Sequence, residues 1–264
     1  MESPKIDYIQ SKDNKTIKHI ISLQQRKYRQ KFGEYTVEGI RAVTDIGKKH
    51  FLRSILIRES KRSELEPLVK KGFTVSSVYV VQDPIFDKIE HSVNGQGILG
   101  IAKKCVNDLH SLIVEDGLYV ALDGVQDPGN LGTIIRTAVA AGAKGIFLLK
   151  GTVDPYNEKC IRSTMSALCN IPIFEDVTLS EFYDFIKDNT IKTYVTSLEN
   201  AKPYHTISYP KRTMIILGNE GNGVSREIIE MCDQAITIPM YGDIESLNVS
   251  IAAALCMYKV REQI

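Results

Sequence analysis

The most constraining feature of this sequence is a pair of short apolar runs near its carboxyl end. Residues 214–217 read Met-Ile-Ile-Leu and are followed by Gly218-Asn219, and residues 236–238 read Ile-Thr-Ile and are followed by Pro239. Runs of this length predict strands, and the residues that follow them cannot continue a strand. Ligands of open α/β sheets bind beyond the carboxyl ends of the strands. The pattern therefore predicts two loops at a ligand-binding edge.

The same alternation of strands and helices runs through the second half of the chain. Strands are predicted at 118–122, 145–149, 171–174 and 193–197, and helices at 133–141, 157–167 and 179–187. This β-α-β order gives a mainly parallel sheet with helices on both faces. Ser246 is expected to cap a last, Ala-rich helix. We therefore predict an α/β domain over residues 117–264.

The first hundred residues carry an alternating pattern of their own. Strands are predicted at 35–37, 51–57, 74–80 and 97–101, and helices at 14–30, 38–48, 64–71 and 84–89. Residues 104–116 are polar and weakly patterned, which is typical of a linker. The sequence thus predicts a smaller N-terminal α/β domain, residues 1–103, joined by this linker to the larger one.

Several classes of protein are disfavoured by the composition. No apolar run reaches the roughly 18 residues of a membrane span, and the polar residues 1–10 are not expected to form a secretory signal. Five widely spaced cysteines without a C-x-x-C pair argue against a disulfide framework or a zinc site. The five histidines show no metal-ligand spacing. We expect a cytoplasmic protein with no metal and no membrane contact.

The net charge of +1 hides a difference between the two halves of the chain. Residues 1–110 carry 20 Lys and Arg against 13 Asp and Glu, whereas residues 111–264 carry 13 against 19. A basic module beside an acidic one suggests that the first binds a polyanion. Ordinary scatter of charge is the alternative.

One predicted helix concentrates the basic charge. No acidic residue occurs between residues 14 and 33. Asn14 is expected to cap this helix. Its basic face carries Lys15, Lys18, Arg26 and Arg29. Such a face is often merely solvated, but here we expect it to contact RNA phosphates.

Three glycine-bearing loops, 127–132, 218–223 and 241–246, follow three of the predicted strands. A single loop of this kind is ordinary turn chemistry. The spacing Gly218-x-x-Gly221-x-Gly differs from the dinucleotide-binding fingerprint, and no Lys-Ser/Thr pair follows a glycine-rich loop. An enzyme that depends on nicotinamide or ATP is therefore poorly supported.

Taken together, the loops form three ordered motifs. The first reads Asn-Leu-Gly-Thr-Ile-Ile-Arg-Thr-Ala over 130–138, the second Leu-Gly-Asn-Glu-Gly-Asn-Gly over 217–223, and the third Ile-Pro-Met-Tyr-Gly-Asp-Ile-Glu-Ser-Leu-Asn-Val-Ser over 238–250. They resemble the signature motifs of the SpoU (TrmH-type) RNA 2′-O-methyltransferase family. The resemblance covers residues 118–264. Residues 32–39 and 96–98 also resemble the substrate-binding domain of the rRNA-modifying members.

This resemblance implies a fold, a cofactor and an assembly. The carboxyl-terminal segment would thread through a loop as a deep trefoil knot, the methyl donor would be S-adenosylmethionine, and the protein would be a homodimer. In the family, the donor lies in the knot against the backbone of the second and third loops. The implied donor-binding residues are Gly218, Asn219, Ile238, Pro239, Met240 and Leu247.

The resemblance also implies which residues carry methyl transfer to a ribose 2′-hydroxyl. Arg136 matches the family's catalytic Arg, and Asn130 matches the residue that orients it. Glu220, Ser246 and Asn248 match the remaining polar positions. Because the pKa of an Arg is above about 12, Arg136 either binds the phosphate beside the target ribose or is a base made less basic by its surroundings. Both roles stay open.

Each of these residues also has a structural alternative. Asn130 and Ser246 are suited to capping helices, Arg136 to a helix surface and Glu220 to a turn. Arg162 begins a further basic segment, expected near the site, in which Met165 is bulkier than the Gly of many relatives.

The sequence as a whole predicts an RNA 2′-O-methyltransferase that acts on ribosomal RNA, 23S rRNA in particular. One alternative is a tRNA-directed enzyme with the same chemistry. A second alternative, of a different class, is a non-catalytic RNA-binding or ribosome-assembly protein.

Overall fold

The structure, a computed structural model, describes residues 5–49, 51–69, 75–90, 92 and 95–264. These residues form two compact units. The first contains Met1–Cys105, as far as it is described, with Tyr156–Cys169, and the second contains Val106–Pro155 with Asn170–Ile264. The change of unit after Cys105 falls inside the predicted linker, and the domain limits themselves stay predictions.

One segment groups differently from its expected place, because residues 156–169 belong to the first unit rather than the second. The ring of Tyr156 packs on Tyr35, with 4.8 Å between the ring centroids, and its hydroxyl accepts a hydrogen bond from the backbone N–H of Cys105 at 3.1 Å. Lys49 donates from Nζ to the carbonyl of Cys169 at 2.9 Å. These contacts are tertiary, so the local pattern of the sequence does not predict them.

The strands form two sheets. The first contains β1 (Lys5–Ile9), β2 (Glu34–Glu38), β3 (Leu52–Arg58), β4 (Ser77–Val81) and β5 (Ile98–Lys103). The second contains β6 (Gly117–Asp123), β7 (Gly145–Leu149), β8 (Ile173–Val177), β9 (Lys192–Thr196), β10 (Lys202–Pro203), β11 (Arg212–Gly218) and β12 (Gln234–Thr237). Their orders are β1-β4-β3-β5-β2 and β10-β12-β9-β11-β6-β7-β8. Every pairing in the second sheet is parallel, which confirms the predicted sheet.

The helices follow in chain order. They are α1 (Lys15–Ser22), α2 (Arg26–Phe32), α3 (Ile40–Lys48), α4 (Leu65–Val69), α5 (Asp83–Phe86), α6 (Pro128–Ala140), α7 (Glu158–Thr164), α8 (Leu179–Asp188), α9 (Arg226–Met231) and α10 (Val249–Arg261). No helix in the part of the chain that the structure describes is long and apolar enough to cross a membrane. The predicted helix 64–71 and strand 74–80 reach into residues 70–74, which lie outside the described residues.

The first sheet is mixed, and its edge strand β1 was not predicted. β1, β4 and β3 are parallel, whereas β5 runs antiparallel to both β3 and β2. In β1, Ile6 and Tyr8 are 44% and 50% exposed and Ile9 is buried. A strand that buries so little apolar surface gives only a weak sequence signal.

The single helix predicted over 14–30 is in fact two helices. Arg29, on α2, donates from Nη1 to the carbonyls of Leu23 and Gln24 at 2.8 Å each. These carbonyls lie at the end of α1, where helix geometry leaves them without intrahelical partners. The Arg29 guanidinium stabilises the break and is only 4% exposed. The expectation that Arg29 lies on an RNA-facing surface was therefore wrong.

Helices cover both faces of the second sheet. Phe182 and Phe185 of α8 and Ile228 of α9 pack into one core cluster with Phe147 and other strand residues. Helices α6 and α10 pack on each other, and α10 packs on β11 and β6. The buried residues of both helices lie outside that cluster. The predicted layers are confirmed.

Parallel pairing brings the carboxyl ends of the strands to one edge. β6 and β11 are neighbours, with Asp123 opposite Gly218, and β9 separates β11 from β12. The loops after β6, β11 and β12 therefore leave the sheet from the same edge. After β12 the chain passes over β9 to its other side, because α10, which follows β12, packs on β11 and β6.

Candidate active site

The first loop at this edge leads into α6. Asp127 is the N-cap, since its Oδ1 accepts a hydrogen bond from the backbone N–H of Asn130 at 2.9 Å, and Pro128 is the first helical residue. An Asp-Pro pair is a strong helix start. The prediction that the helix begins at Thr133 was wrong for this reason. Asn130 lies in the first turn, so its side chain is available for other contacts.

The second loop is a closed turn after β11. Asn219 and Gly223 exchange two backbone hydrogen bonds of 2.9 Å. The side chain of Asn219 accepts from the N–H of Gly221 at 2.9 Å and donates to the carbonyl of Gly124 at 2.9 Å. A Cβ on Gly218 would lie 2.1 Å from the carbonyl carbon of Gly223, so only glycine fits there. The loop is thus fixed both internally and to the loop after β6.

Glu220 projects from this turn to the start of α6. Its carboxylate accepts hydrogen bonds from the Asn130 amide at 3.0 Å and from the backbone N–H groups of Gln126 and Asp127 at 3.1 Å each. Partial burial acts to raise the pKa of Glu220, but these donors outweigh it and hold the pKa below its usual value. Glu220 is therefore an anion that orients Asn130.

The third loop reaches the same place through Asn248. Its Nδ2 donates to Oδ1 of Asn130 at 3.0 Å, and its Oδ1 accepts from the backbone N–H and hydroxyl of Ser250 at 2.9 and 2.6 Å. Asn248 is therefore the N-cap of α10. The expectation that Ser246 caps this helix was wrong. The three loops meet in the hydrogen-bonded series Glu220–Asn130–Asn248.

Arg136 and Ser246 lie outside this series. Both are exposed, and neither side chain forms a hydrogen bond or ion pair with any residue that the structure describes. The amide of Asn130 is engaged by Glu220 and Asn248 rather than by Arg136. The orienting role that the resemblance implied for Asn130 is therefore not seen as a direct contact. Arg136 lies almost two turns further along α6.

The expected donor-binding residues lie on and around the second and third loops. Ile238, Pro239, Met240 and Leu247 are half-buried, and Gly218 is buried. Residues 238–247 form no hydrogen bond with described residues. Their peptide groups and apolar side chains suit a ligand with an aromatic base and a hydrogen-bonding edge, so the segment fits S-adenosylmethionine.

The basic residues expected to bind RNA all belong to the first unit. Lys15 and Arg162 are exposed. Lys18 is exposed as well and pairs with Asp13 at 3.0 Å, and Arg26 is half-buried. Arg162 lies on α7, which groups with the first unit, and its expected place near the catalytic loops stays a prediction.

A parallel sheet whose loops bring two amides and a carboxylate together at the carboxyl ends of its strands has the geometry of a ligand-binding α/β domain. No cluster of three or more His, Cys, Asp or Glu within the described ranges is arranged to hold a metal ion. The model of the SpoU rRNA Methylase family matches residues 117–258, and that of the MRM3-like substrate binding domain matches 14–100. The chain belongs to the SpoU rRNA methylase family.

Similar proteins agree with this assignment over nearly the whole chain. The 23S rRNA (guanosine(2553)-2′-O)-methyltransferase RlmP of Bacillus subtilis is 33% identical and covers 96% of this chain and 98% of its own. An AdoMet-bound rRNA methyltransferase from Sinorhizobium meliloti superposes with a TM-score of 0.87 at 29% identity, covering 98% of both chains. The SpoU methyltransferase AviRb of Streptomyces viridochromogenes gives 0.81 at 25% identity, over 95% of this chain and 97% of its own.

The resemblance found in the sequence is thus confirmed. The protein is an S-adenosylmethionine-dependent RNA 2′-O-ribose methyltransferase. Its fold class, including the trefoil knot for which SpoU methyltransferases are known, is that of its structural neighbours.

Proposed function

We propose that this enzyme methylates a ribose 2′-hydroxyl of 23S ribosomal RNA. The observation that carries the proposal is the hydrogen-bonded series Glu220–Asn130–Asn248. It links the three loops at the edge of the sheet where the carboxyl ends of the strands lie. The Bacillus subtilis relative is a 23S rRNA enzyme, and the first unit matches a substrate-binding domain.

Residues 238–247, the donor-binding segment, would hold S-adenosylmethionine chiefly through their peptide groups. When bound, the donor supplies an activated methyl group. The half-buried Ile238, Pro239, Met240 and Leu247 provide apolar contact, and Gly218 lets the second loop close tightly beneath them. Asn219 fixes that loop to the carbonyl of Gly124. Such a rigid cradle would hold the donor in one orientation for methyl transfer.

Arg136 acts as a phosphate-binding cation in this proposal. The exposed guanidinium of Arg136 presents a planar set of hydrogen-bond donors, so it is suited to hold an RNA phosphate in a paired geometry. A cation beside the target ribose favours loss of the 2′-hydroxyl proton to solvent water as the oxygen takes the methyl group. Ser246, exposed on the third loop, contacts the ribose, and Asn248 positions Asn130.

The first unit binds the RNA through Lys15, Lys18, Arg26 and Arg162. Lys15, Lys18 and Arg162 are exposed and suited to phosphate contacts. Arg29 is left out because its guanidinium is committed to the end of α1.

The enzyme works as a homodimer. Helix α10 exposes Ile251, Leu255 and Tyr258 by 50%, 38% and 48%. Their spacing places them in one apolar stripe, which a second copy would cover. Cys169, Cys232 and Cys256 are free thiols, which fits work on ribosomal RNA in a reducing cytoplasm.

Transfer of tritiated methyl groups from S-adenosylmethionine tests the proposal. The purified protein is expected to transfer tritium to unmodified 23S rRNA, where it should be found in 2′-O-methylated nucleotides. It should leave tRNA unlabelled. Labelled tRNA would favour the tRNA-directed alternative. An absence of donor binding in calorimetry would favour the non-catalytic alternative.

A further inference from the structure

A surface cavity of about 330 Å³ lies in the first unit. Of its lining residues, only Lys15 has a role in the proposed function, as an RNA-binding residue. Its lining includes Lys15 and His19 of α1, Phe32 of α2, Glu34 of β2 and Arg53 of β3. The volume falls within the roughly 300–1,000 Å³ of small-molecule sites. We call this feature the Phe32 cavity.

Glu34 orders the polar side of the Phe32 cavity. Its side chain is only 5% exposed, and its two oxygens face His19 Nε2 at 2.6 Å and Arg53 Nη1. A buried carboxylate of this kind fixes the directions of both partners. The Arg53 side chain stays 59% exposed, and Lys15 is exposed beside it. The cavity therefore presents two cations to an incoming anion.

Phe32 supplies an aromatic wall. It is 43% exposed and lies edge-on to His19, with 4.8 Å between the ring centroids. Its other neighbour Tyr28 is nearly parallel, at 6.2 Å and 12°. Lys27 and Lys31 place their Nζ atoms 4.8 and 5.5 Å from the Tyr28 and Phe32 centroids. Phe32 is thus an exposed ring beside the half-buried Tyr28, with a cation close to each ring, and bases of single-stranded nucleic acids stack on such surfaces.

We propose that the Phe32 cavity binds one unstacked nucleotide of single-stranded RNA. The base stacks on Phe32, and Lys15 and Arg53 bind its phosphate. Glu34 is a positioning residue, because both of its oxygens are engaged by His19 and Arg53. This inference rests on the proposed function, since it takes the bound RNA to be the substrate.

The test is RNA binding by the full-length protein, measured by fluorescence anisotropy. Phe32→Leu keeps the apolar bulk but removes the aromatic face, so binding of a single-stranded RNA of about 12 nucleotides should weaken about five- to hundredfold. Lys15→Gln should lower the salt dependence, with a slope smaller by about 0.7. The affinity of the protein for duplex RNA of equal length should not change in Phe32→Leu.

Tyr183→Leu is the matched control. Tyr183 is 46% exposed and has Lys187 Nζ at 5.8 Å from its ring centroid, but it lies on α8 in the second unit. Its replacement should leave RNA affinity unchanged. Melting curves check that each variant folds, and Lys15→Gln tests the cavity even if Phe32→Leu does not fold. An RNA affinity of Phe32→Leu equal to that of the wild type, or an unchanged salt slope for Lys15→Gln, would overturn the inference.

Photocrosslinking separates this inference from the proposed function. RNA containing 4-thiouridine should crosslink to the peptide that carries Phe32. If the crosslink forms but the wild type transfers no methyl group, the proposed function fails and the cavity stands. If methyl transfer is normal and the crosslink maps elsewhere, the inference about the cavity fails alone.

Discussion

The amide nitrogen of Asn248 donates a 3.0 Å hydrogen bond to the side-chain oxygen of Asn130. This contact joins the first turn of α6 to the N-cap of α10. The amide nitrogen of the same Asn130 side chain donates to Glu220, so one side chain connects three separate loops. The geometry of the catalytic edge therefore depends on Asn130 more than on any other side chain of the series.

Asn130→Asp should disrupt this edge. The change replaces the donor that faces Glu220 with a second carboxylate, and two carboxylates at hydrogen-bonding distance repel each other. We expect methyl transfer to fall by about a hundredfold or more, as for other misplaced catalytic groups. Asn222→Asp, at an exposed position on the second loop, is the control and should retain activity. Equal kcat/KM values for the two variants would contradict the account.

Glu220 should give a pH-dependent contribution to stability. Its pKa is lowered in the folded protein, so the contribution is present above the unfolded value, about 4.5, and is lost as the pH falls through the folded value. The melting temperature of Glu220→Gln should lie below that of the wild type at pH 7, and the difference should shrink below about pH 4.5. A difference that is constant with pH would argue against the observed contacts.

Arg136→Ala should abolish methyl transfer while leaving donor affinity largely intact, because Arg136 is assigned to the RNA rather than to the donor. Arg136→Lys should retain a fraction of the activity, since an ammonium group contacts phosphate without the paired geometry of a guanidinium. Kinetic assays and calorimetry with S-adenosylmethionine provide the readouts. Arg226→Ala removes an exposed arginine whose ion pair with Glu230 contributes little, and it should behave as wild type. Full turnover by Arg136→Ala would end the assignment.

Cys169 should be the most reactive thiol of the chain. The Cys105 thiol donates to it at 2.7 Å, and together with Tyr35 and Lys49 it lowers the pKa of Cys169 despite partial burial. Burial raises the pKa of Cys232 to about 12. Alkylation at Cys169 should therefore rise at a lower pH than alkylation at Cys232. Cys105→Ala should shift that rise to higher pH. Peptide mass spectrometry measures the alkylation rates of Cys169 and Cys232. Equal rates at the two thiols would contradict the prediction.

Leu255→Lys should dissociate the proposed dimer. Leu255 lies between Ile251 and Tyr258 in the exposed apolar stripe of α10, so a lysine there would place a charge within the interface. Light scattering should give the mass of a dimer for the wild type and of a monomer for the variant. Lys259→Glu, which alters the partner of Glu262 on the same helix, tests whether charge change alone has this effect. A monomeric wild type would refute the dimer.

The sequence predicted the parallel sheet and its ligand-binding edge because strand ends such as Gly218-Asn219 and Pro239 are local signals. It also indicated the residues of the site through their resemblance to a family. It did not predict which side chains touch. The bond between Asn130 and Glu220 joins residues 90 positions apart, and only the folded sheet brings them together.

Two other features of the structure were not predicted from the sequence, because they too depend on contacts that only the folded chain brings together. The burial of Arg29 depends on a break between α1 and α2 that helical periodicity does not reveal. The cavity around Phe32 depends on side chains from separate helices and strands. The Asp127 cap, in contrast, was readable from the Asp-Pro pair.

The most direct test of the central claim is the map of 2′-O-methyl marks on the RNA of cells with and without this gene. We expect one mark on 23S rRNA to disappear on deletion, to return with the wild-type gene and to stay absent with Arg136→Ala. An unchanged set of 23S rRNA marks in the deletion strain would contradict the account.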